Sequence, residues 1–239
     1  MFSKYFIKKK SQLNHNTIHL VISPLTRQIK KYPISSFIYI ASDDEAIKRP
    51  YTPIKTSPSE IELAIKIYKE GKLTQMINQK QESDFLKCSD AIPKRKYILN
   101  EFKNVLLIAG GTGITPMTQL LDFCIGNPEN KTKFVLIFCN KTEKDIFMLE
   151  KLESYGIKIV HVLEDCESET KNKICGRINS NIIYDVINEN DEIFDFVYVC
   201  GPPPMITLLA GSKGLNGEQG AFDGILKDIG FNENEVYKF

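Results

Sequence analysis

LLIAGGTGITPMTQLLDFCIG, residues Leu106 to Gly126, passes from an apolar run through three glycines into residues with helical spacing. A chain that leaves a buried strand through glycines and enters a helix presents unpaired N–H groups at the turn, where negative charge is favoured and phosphate is commonly held. Gly110, Gly111 and Gly113 let the backbone approach a ligand, Thr112 and Thr115 offer hydroxyls, and Pro116 falls in the first helical turn, where its missing N–H costs little. The turn is no Walker A loop, because no GK[ST] follows, and it fails GxGxxG because Pro116 holds the third glycine position. Taken alone it fits either a nucleotide site or a plain strand-to-helix turn.

The residues downstream extend the same grammar. KFVLIFCN reads as a strand, KDIFMLEKLESY as a helix, GIKIVHVLE as a strand, NIIYDVI as a helix, DFVYVCG as a strand and PMITLLAG as a helix, followed by a helix in GILKDIG and a strand in EVYKF. Continuous apolar strands alternating with helices predict a parallel sheet covered on both faces, with ligands at the carboxyl ends of its strands. GSKGLNGEQG, Gly211 to Gly220, reads as a flexible loop. CGPPPMI, Cys200 to Ile206, ends one strand and opens the next helix, so the parallel topology brings it to the sheet edge where the glycine turn lies. Its prolines stiffen the exit, and a small polarizable thiol on a rigid shelf suits a flat ring.

Upstream the rhythm differs. TIHLVIS, SFIYIAS and EIELAIKIY are short, β-branched and separated by Pro, Ser and Asp turns, which predicts an antiparallel sheet or small barrel over Asn16 to Tyr68. Gln79 to Lys96 is polar and mixed. The expected architecture is two domains, an N-terminal antiparallel Greek-key β-barrel over residues 1–98 and an α/β parallel-sheet domain over residues 99–239.

The 239 residues, 42% hydrophobic and 26% charged, suit a soluble globular chain of this organisation. The opening MFSKYFIKKK has no apolar segment typical of a signal or membrane anchor, and Phe2 excludes myristoylation. No CxxC pair occurs among Cys88, Cys124, Cys139, Cys166, Cys175 and Cys200, so neither zinc nor any other metal is expected. Several of these cysteines lie in apolar runs and read as buried reduced thiols, as in a cytoplasmic protein. The net charge of +1 hides a division: residues 1–100 carry 18 Lys/Arg against 9 Asp/Glu, whereas residues 101–239 carry 13 against 21. Such polarity either orients a charged partner or partly neutralises a phosphate cofactor.

Five motifs in order, RPYTPI (Arg49–Ile54), IKIY followed by GKLT (Ile65–Thr74), AGGTGITPM, NKTEKDI (Asn140–Ile146) and CGPPPM, resemble the ferredoxin–NADP reductase superfamily, and within it the NADH–cytochrome b5 reductases. The likeness runs from about residue 12 to Phe239. It implies an FAD domain followed by a pyridine-nucleotide domain, with the flavin at their junction and NADH delivering hydride to it. By the likeness Arg49 pairs with the FAD diphosphate, as an Arg fork suits phosphate. Pro50, Tyr51 and Thr52 line the flavin, with Thr52 near its N5. Gly71, Lys72, Leu73 and Thr74 supply backbone and hydroxyl donors to the diphosphate. Ile65, Ile67 and Tyr68 complete the flavin strand, while Lys66 is associated with NADH, its alternative being an exposed strand lysine. Gly110, Gly111, Thr112, Gly113, Thr115, Pro116, Gly201, Pro202, Pro203, Met205 and Phe239 are cofactor-binding by the same likeness. Thr52, Lys66 and Cys200 stand closest to the chemistry.

In HVLEDCES, Glu164 and Asp165 follow the third strand, where the family often places an acid near the adenosine ribose. A carboxylate accepts from a ribose hydroxyl and repels a 2′-phosphate, so NADH is expected over NADPH. Two departures stand out. PISSFIYI puts Ser35, Ser36 and Phe37 where the family commonly has Gly-Gln-His, removing a proposed proton relay. Only Lys69 and Glu70 separate the IKIY and GKLT elements, which predicts weaker FAD retention. The implied acceptor is a cytochrome b5-like haem protein, met in the cytoplasm or at a membrane it is attached to, with no direct anchor on this chain and no nucleic-acid partner. Other readings are a diaphorase or ferric-chelate reductase, and a nucleotide-binding regulatory module that has lost turnover.

Overall fold

The computed structural model describes residues 1–25, 32–189 and 193–239, apart from the side chain of Asn216. Arg27, Lys30 and Lys31, part of the basic excess, lie outside the described residues. The chain forms two compact units, one of Met1–Tyr97 with Thr118–Phe123, the other of Ile98–Met117 with Cys124–Phe239.

The first unit contains β1 (Ser3–Asn14), β2 (Thr17–Pro24), β3 (Ser36–Ala41), β4 (Lys48–Tyr51), β5 (Lys55–Thr56), β6 (Ile61–Lys66), α1 (Lys72–Gln79), β7 (Phe85–Cys88) and β8 (Ile92–Pro93). Its antiparallel strands pair in the order β4-β3-β7-β1-β2-β6-β5, with β8 on β3. Non-consecutive neighbours such as β3, β7 and β1 give the Greek-key character expected of this half. Ile18, Leu20 and Ile22 of β2, Ile38 and Ile40 of β3, and Ile61, Leu63 and Ile65 of β6 alternate inward to form its core.

Two strands escape the sequence pattern. Only Tyr5 and Ile7 of β1 turn inward while its lysines remain outside, and β7 contributes just Leu86 and Cys88. Both strands nonetheless occupy the middle of the sheet, where neighbours on both sides supply the pairing that local composition does not announce. Gly71 is the N-cap of helix α1, an element not assigned from the sequence.

The second unit contains β9 (Asn104–Gly110), α2 (Ile114–Ile125, part of which joins the first unit), β10 (Lys133–Asn140), α3 (Leu149–Ser154), β11 (Lys158–Leu163), β12 (Lys173–Cys175), α4 (Ser180–Asn188), β13 (Phe196–Cys200), α5 (Pro203–Ala210), α6 (Ile225–Ile229) and β14 (Val236–Lys238). All six strands are parallel, in the order β12-β11-β10-β9-β13-β14. Every residue of β9 is buried, as the uninterrupted apolar run requires of a central strand. Val135 and Ile137, Val160 and Val162, and Val197 and Val199 pack on one face with Ile182, Ile183, Ile206, Leu209 and Leu226 of the helices.

Three expectations need correcting. KDIFMLEKLESY is not one helix: Asp145 accepts from the Thr142 amide (3.1 Å) and hydroxyl (2.8 Å), capping a single 3-10 turn over Glu143–Asp145, and Met148 reverses to φ +62° before α3 begins. Cys166 and Cys175 are joined in a disulfide, with a Cα separation of 5.6 Å, against the expectation of reduced thiols. They flank the loop between β11 and β12, outside the apolar core, where the chain doubles back through the Thr170–Lys173 bridge and brings them together. Cys88, Cys124, Cys139 and Cys200 are free. The Gly211–Gly220 loop, expected to be flexible, is cross-tied: Gln219 bonds both the N–H (2.7 Å) and the carbonyl (2.9 Å) of Lys238. Among the described residues no helix is long and apolar enough to cross a membrane.

Candidate nucleotide and flavin sites

In the second unit the chain runs outward from β9 through β10, β11 and β12, then returns to place β13 on the other side of β9. Strand order reverses between β9 and β13. In open α/β sheets the crevice outside the carboxyl ends at such a reversal receives the ligand. The two strand ends there are AGGTG and CGPPP, with Ala109 level with Cys200.

They fit as closely as backbone allows. A Cβ on Gly113 would overlap the Cys200 carbonyl, and one on Gly110 would stand 2.6 Å from the Met205 sulfur and 2.9 Å from Pro202 Cδ. Gly111 is different: at φ +52° a Cβ there would meet nothing within 4 Å, so this glycine serves a left-handed turn facing open space. A single 3-10 turn over Gly111–Gly113 leads into α2, with no side-chain cap on its amides.

Some predicted donors are otherwise engaged. The Thr115 hydroxyl donates to the Thr112 carbonyl (3.0 Å) and is buried, so it steadies the turn rather than offering itself to phosphate. Pro116 is buried within α2. Gly201, Pro202 and Pro203 form the exit from β13, Pro203 opening α5. Cys200 is half-buried, and burial pushes its thiol from 9.0 up to about 12. It is therefore a neutral, polarizable wall at physiological pH and not a thiolate nucleophile. Phe239 follows β14, its N–H donating to the Val199 carbonyl (2.9 Å) and its ring stacked 5.4 Å from Tyr198.

Glu164 lies beyond β11, two strands from the reversal, and its carboxylate accepts from Arg177 at 3.0 Å. No sequence pattern pairs these residues, which lie on either side of β12. Asn140, at the end of β10, is buried with neither amide atom partnered among the described residues, and Nδ1 of His161 on β11, level with Phe138, is likewise unpartnered there. Asn140 opens the NKTEKDI motif and His161 lies within β11, but no role is assigned to either from the sequence.

The first unit holds the other predicted set. Arg49 extends from β4 into solvent, one guanidinium nitrogen on the Lys48 carbonyl (2.9 Å), and Pro50 beside it is exposed. Tyr51 packs on the core, and burial pushes its hydroxyl up to about 12 despite the Arg49 charge, so it presents a neutral aromatic face. Thr52 is half-buried immediately after β4. Along β6, Ile65 is fully buried in the core and can serve a ligand through its backbone only, whereas Lys66 and Ile67 are half-buried and Tyr68 is exposed.

Lys69 and Glu70 make a tight turn closed by the Gly71 N–H on the Tyr68 carbonyl (3.0 Å). A Cβ on Gly71 would overlap the Thr74 hydroxyl, so glycine is required there. That hydroxyl accepts from the Tyr68 N–H (3.2 Å) and donates to the Gly71 carbonyl (3.0 Å), which makes Thr74 a clasp rather than a phosphate donor. Leu73 is buried and Lys72 exposed. With no side-chain cap on α1, the amides of Lys72, Leu73 and Thr74 stand open at the positive end of the helix, as a diphosphate requires. The residues present thus fit an FAD diphosphate through helix amides and Arg49, with Thr74 removed from the donor list.

Comparison with known proteins agrees with both sites. Residues 4–97 match the oxidoreductase FAD-binding domain and residues 107–210 the oxidoreductase NAD-binding domain. NADH-cytochrome b5 reductase 2 of Yarrowia lipolytica is 34% identical over 98% of this chain and 84% of its own length. The protein of the same name from Mycosarcoma maydis is 31% identical over 100% and 72%. For that of Aspergillus oryzae the match is 34% over 82% of this chain and 63% of the relative. Among solved structures, the cytochrome b5 reductase domain of Ulva prolifera nitrate reductase superposes with TM-score 0.82 at 22% identity, covering 100% of this chain and 97% of that one. The CS–b5R domains of human Ncb5or, in an NAD+ form, give 0.83 at 26% identity, covering 100% and 69%. An FAD-binding half and an NAD-binding half, joined in this order and related at this level over nearly the whole chain, place it in the NADH–cytochrome b5 reductase family of oxidoreductases.

Proposed function

We propose that this chain takes hydride from NADH onto FAD and passes the electrons singly to a cytochrome b5-type haem protein. The observation that carries the reading is the strand-order reversal between β9 and β13, where AGGTG and CGPPPM pack backbone against backbone and leave Gly111 facing open space. Such an edge of an open α/β sheet suits a flat heterocycle attached to phosphate, and family membership supplies the flavin partner. When bound, FAD supplies the conversion of a two-electron hydride donor into a one-electron source.

The chain's own residues hold and orient. In this reading Arg49 and the open amides of α1 bind the FAD diphosphate, while Tyr51, Pro50 and Thr52 face the flavin ring. Lys66, at the end of β6, serves the nucleotide. Cys200 and Met205 give the nicotinamide an uncharged wall, and the Gly110–Gly113 turn admits its ribose and phosphate. Phe239, braced on Tyr198, limits the cleft from β14. Glu164 favours NADH, its carboxylate accepting from a ribose hydroxyl and repelling a 2′-phosphate. The division between the two binding halves falls at residue 98. The same proposal puts the protein in the cytoplasm, its acceptor free or attached to a membrane.

Anaerobic addition of NADH tests the reading. The purified protein, reconstituted with FAD, is expected to be yellow and to bleach with one equivalent of NADH, then to regain its colour as oxidised cytochrome b5 is reduced. Absence of a bound flavin chromophore overturns the proposal, as does a flavin that NADH leaves oxidised. Bleaching without any electron transfer to cytochrome b5 overturns the acceptor.

A further inference from the structure

One edge of the parallel sheet is held by little more than a covalent bond. The edge strand β12 has three residues, Lys173–Cys175, each half-buried and paired with His161–Leu163 of β11. Of these, Ile174 packs against the core, and Lys173 meets the exposed Glu143 carboxylate at 2.6 Å, a contact that surrounding water weakens. Cys166, just beyond β11, is bonded to Cys175, the last residue of β12. Residues 167–172 between them are all exposed and turn back through the Thr170–Lys173 bridge. Both cysteines keep part of their surface in solvent. The other four thiols are poorly placed for exchange: Cys88 and Cys124 are buried, and burial pushes Cys139 and Cys200 up to about 12, too high for a thiolate at neutral pH.

The bridge closes on the residues assigned above to the adenosine end of the nucleotide. Glu164 stands two residues before Cys166 and Arg177 two after Cys175, and their side chains meet at 3.0 Å. The N–H groups of Glu164 and Asp165 donate to the Asn140 (3.1 Å) and Lys141 (2.8 Å) carbonyls, which fixes this side of the pair to β10. Arg177 hangs instead from β12, through Gly176, whose N–H donates to the Leu163 carbonyl at 2.7 Å. The Cys175 N–H donates to the Glu169 carboxylate (2.9 Å), inside the segment that the bridge closes. Opening the bridge therefore releases both that segment and the strand that carries Arg177.

We propose that the Cys166–Cys175 bridge is a reversible thiol–disulfide site that sets the affinity for NADH: closed, it fixes β12 and the Glu164–Arg177 pair, and opened by a dithiol it lets both loosen. One sulfur of the dithiol bonds to a cysteine sulfur as the S–S bond breaks. Its second thiol then displaces that cysteine, so the reductant leaves as a disulfide and Cys166 and Cys175 each end as a thiol, two electrons and two protons richer in all. The inference rests on the NADH-to-FAD reading above, with Glu164 at the ribose. The bridge touches no reacting atom, so opening it weakens binding and leaves the hydride step unchanged.

The test treats FAD-loaded wild type with dithiothreitol under argon, desalts it, and compares it with untreated protein and with protein re-closed by oxidised glutathione. Maleimide labelling counts reactive thiols, and stopped-flow flavin bleaching gives the dissociation constant for NADH and the limiting rate. Reduction is expected to expose two further thiols and to raise the dissociation constant about fivefold, the effect of re-ordering a freed residue on binding. The preference for NADH over NADPH is expected to narrow, with limiting rate and flavin content unchanged, and re-oxidation to restore the starting values. Cys166→Ser and Cys175→Ser are expected to match reduced wild type and to ignore dithiothreitol. New thiols with an unaltered dissociation constant overturn the inference, as do no new thiols at all, or a fall in limiting rate at unchanged affinity. A wild-type flavin that NADH never bleaches overturns the underlying reading instead.

Discussion

Ser35 occupies a backbone conformation that suits glycine. Its φ is +62°, its side chain is buried, and its hydroxyl has no partner among the described residues. A left-handed non-glycine residue costs about 1–2 kcal/mol, and an unsatisfied buried hydroxyl adds about 1–3 kcal/mol. Glycine would remove both penalties while losing about 0.5–1 kcal/mol to its freer unfolded chain. Ser35→Gly is therefore expected to stabilise the FAD-loaded protein by about 1 kcal/mol, raising Tm by about 2–4 °C for a chain of this length. Thermal unfolding at fixed FAD concentration measures it. A lowered Tm would show that the hydroxyl has a partner in the flavin-loaded state. Phe37, two residues on, is buried and packs edge-on to Tyr39 at 5.1 Å, so the position where the family places a proton-relaying histidine is a packing position here.

At the scale of elements, β11 carries an imidazole within the apolar run that follows Lys158. His161 lies level with Phe138 on β10, and burial holds its pKa below 6.5, only partly opposed by Glu153 and Glu143. The folded protein keeps this imidazole neutral, whereas the unfolded chain takes up a proton as pH falls below 6.5. A depressed folded-state pKa means that stability is present above the unfolded value and is lost as pH drops through and below it. Wild type is expected to lose Tm on the acid side of 6.5 more steeply than His161→Leu, and paired melts across that range check this. Equal slopes would mean that the folded state also protonates His161.

The elements also show what the sequence could express. The parallel sheet was legible because β9, β10, β11 and β13 are mostly apolar runs, and the turns that end β9 and β13 because glycine and proline mark them. Strands β1 and β7 were not, since each turns only two side chains inward and takes its place from neighbours distant in sequence. The Cys166–Cys175 bridge and the ring of backbone carbonyls around the Lys238 ammonium are products of tertiary closure, whereas the Asp145 cap that breaks the expected helix is a local bond to Thr142 that the apolar spacing hid. In the site, the motif residues sit on the expected turns, but Thr74 and Thr115 are tied internally and Ile65 is core. A motif specifies position along the chain; it does not say which atoms the fold leaves open.

For the whole molecule, charge is the property that reaches beyond any one site. Residues 1–100 carry a net +9 and residues 101–239 a net −8, so the total of +1 understates the field near the first unit. Part of that excess is compensated locally, through Lys80 with Asp43 at 3.1 Å and Lys87 with Glu45 at 2.8 Å. Lys48, Arg49, Lys69, Lys72 and Lys96 remain exposed. Exposed charge attracts an acidic haem protein over roughly 10 Å at about 0.1 M salt and only about 3 Å at 1 M. Such attraction acts on encounter more than on the chemical step. With cytochrome b5 as acceptor, kcat/KM is expected to fall about tenfold as salt rises from about 0.05 to 0.5 M, with kcat changing far less. An uncharged quinone is the control, and its rate is expected to vary by less than about twofold. A cytochrome rate independent of salt would mean that the basic excess serves cofactor phosphate alone, and parallel slowing with the quinone would place the effect on NADH.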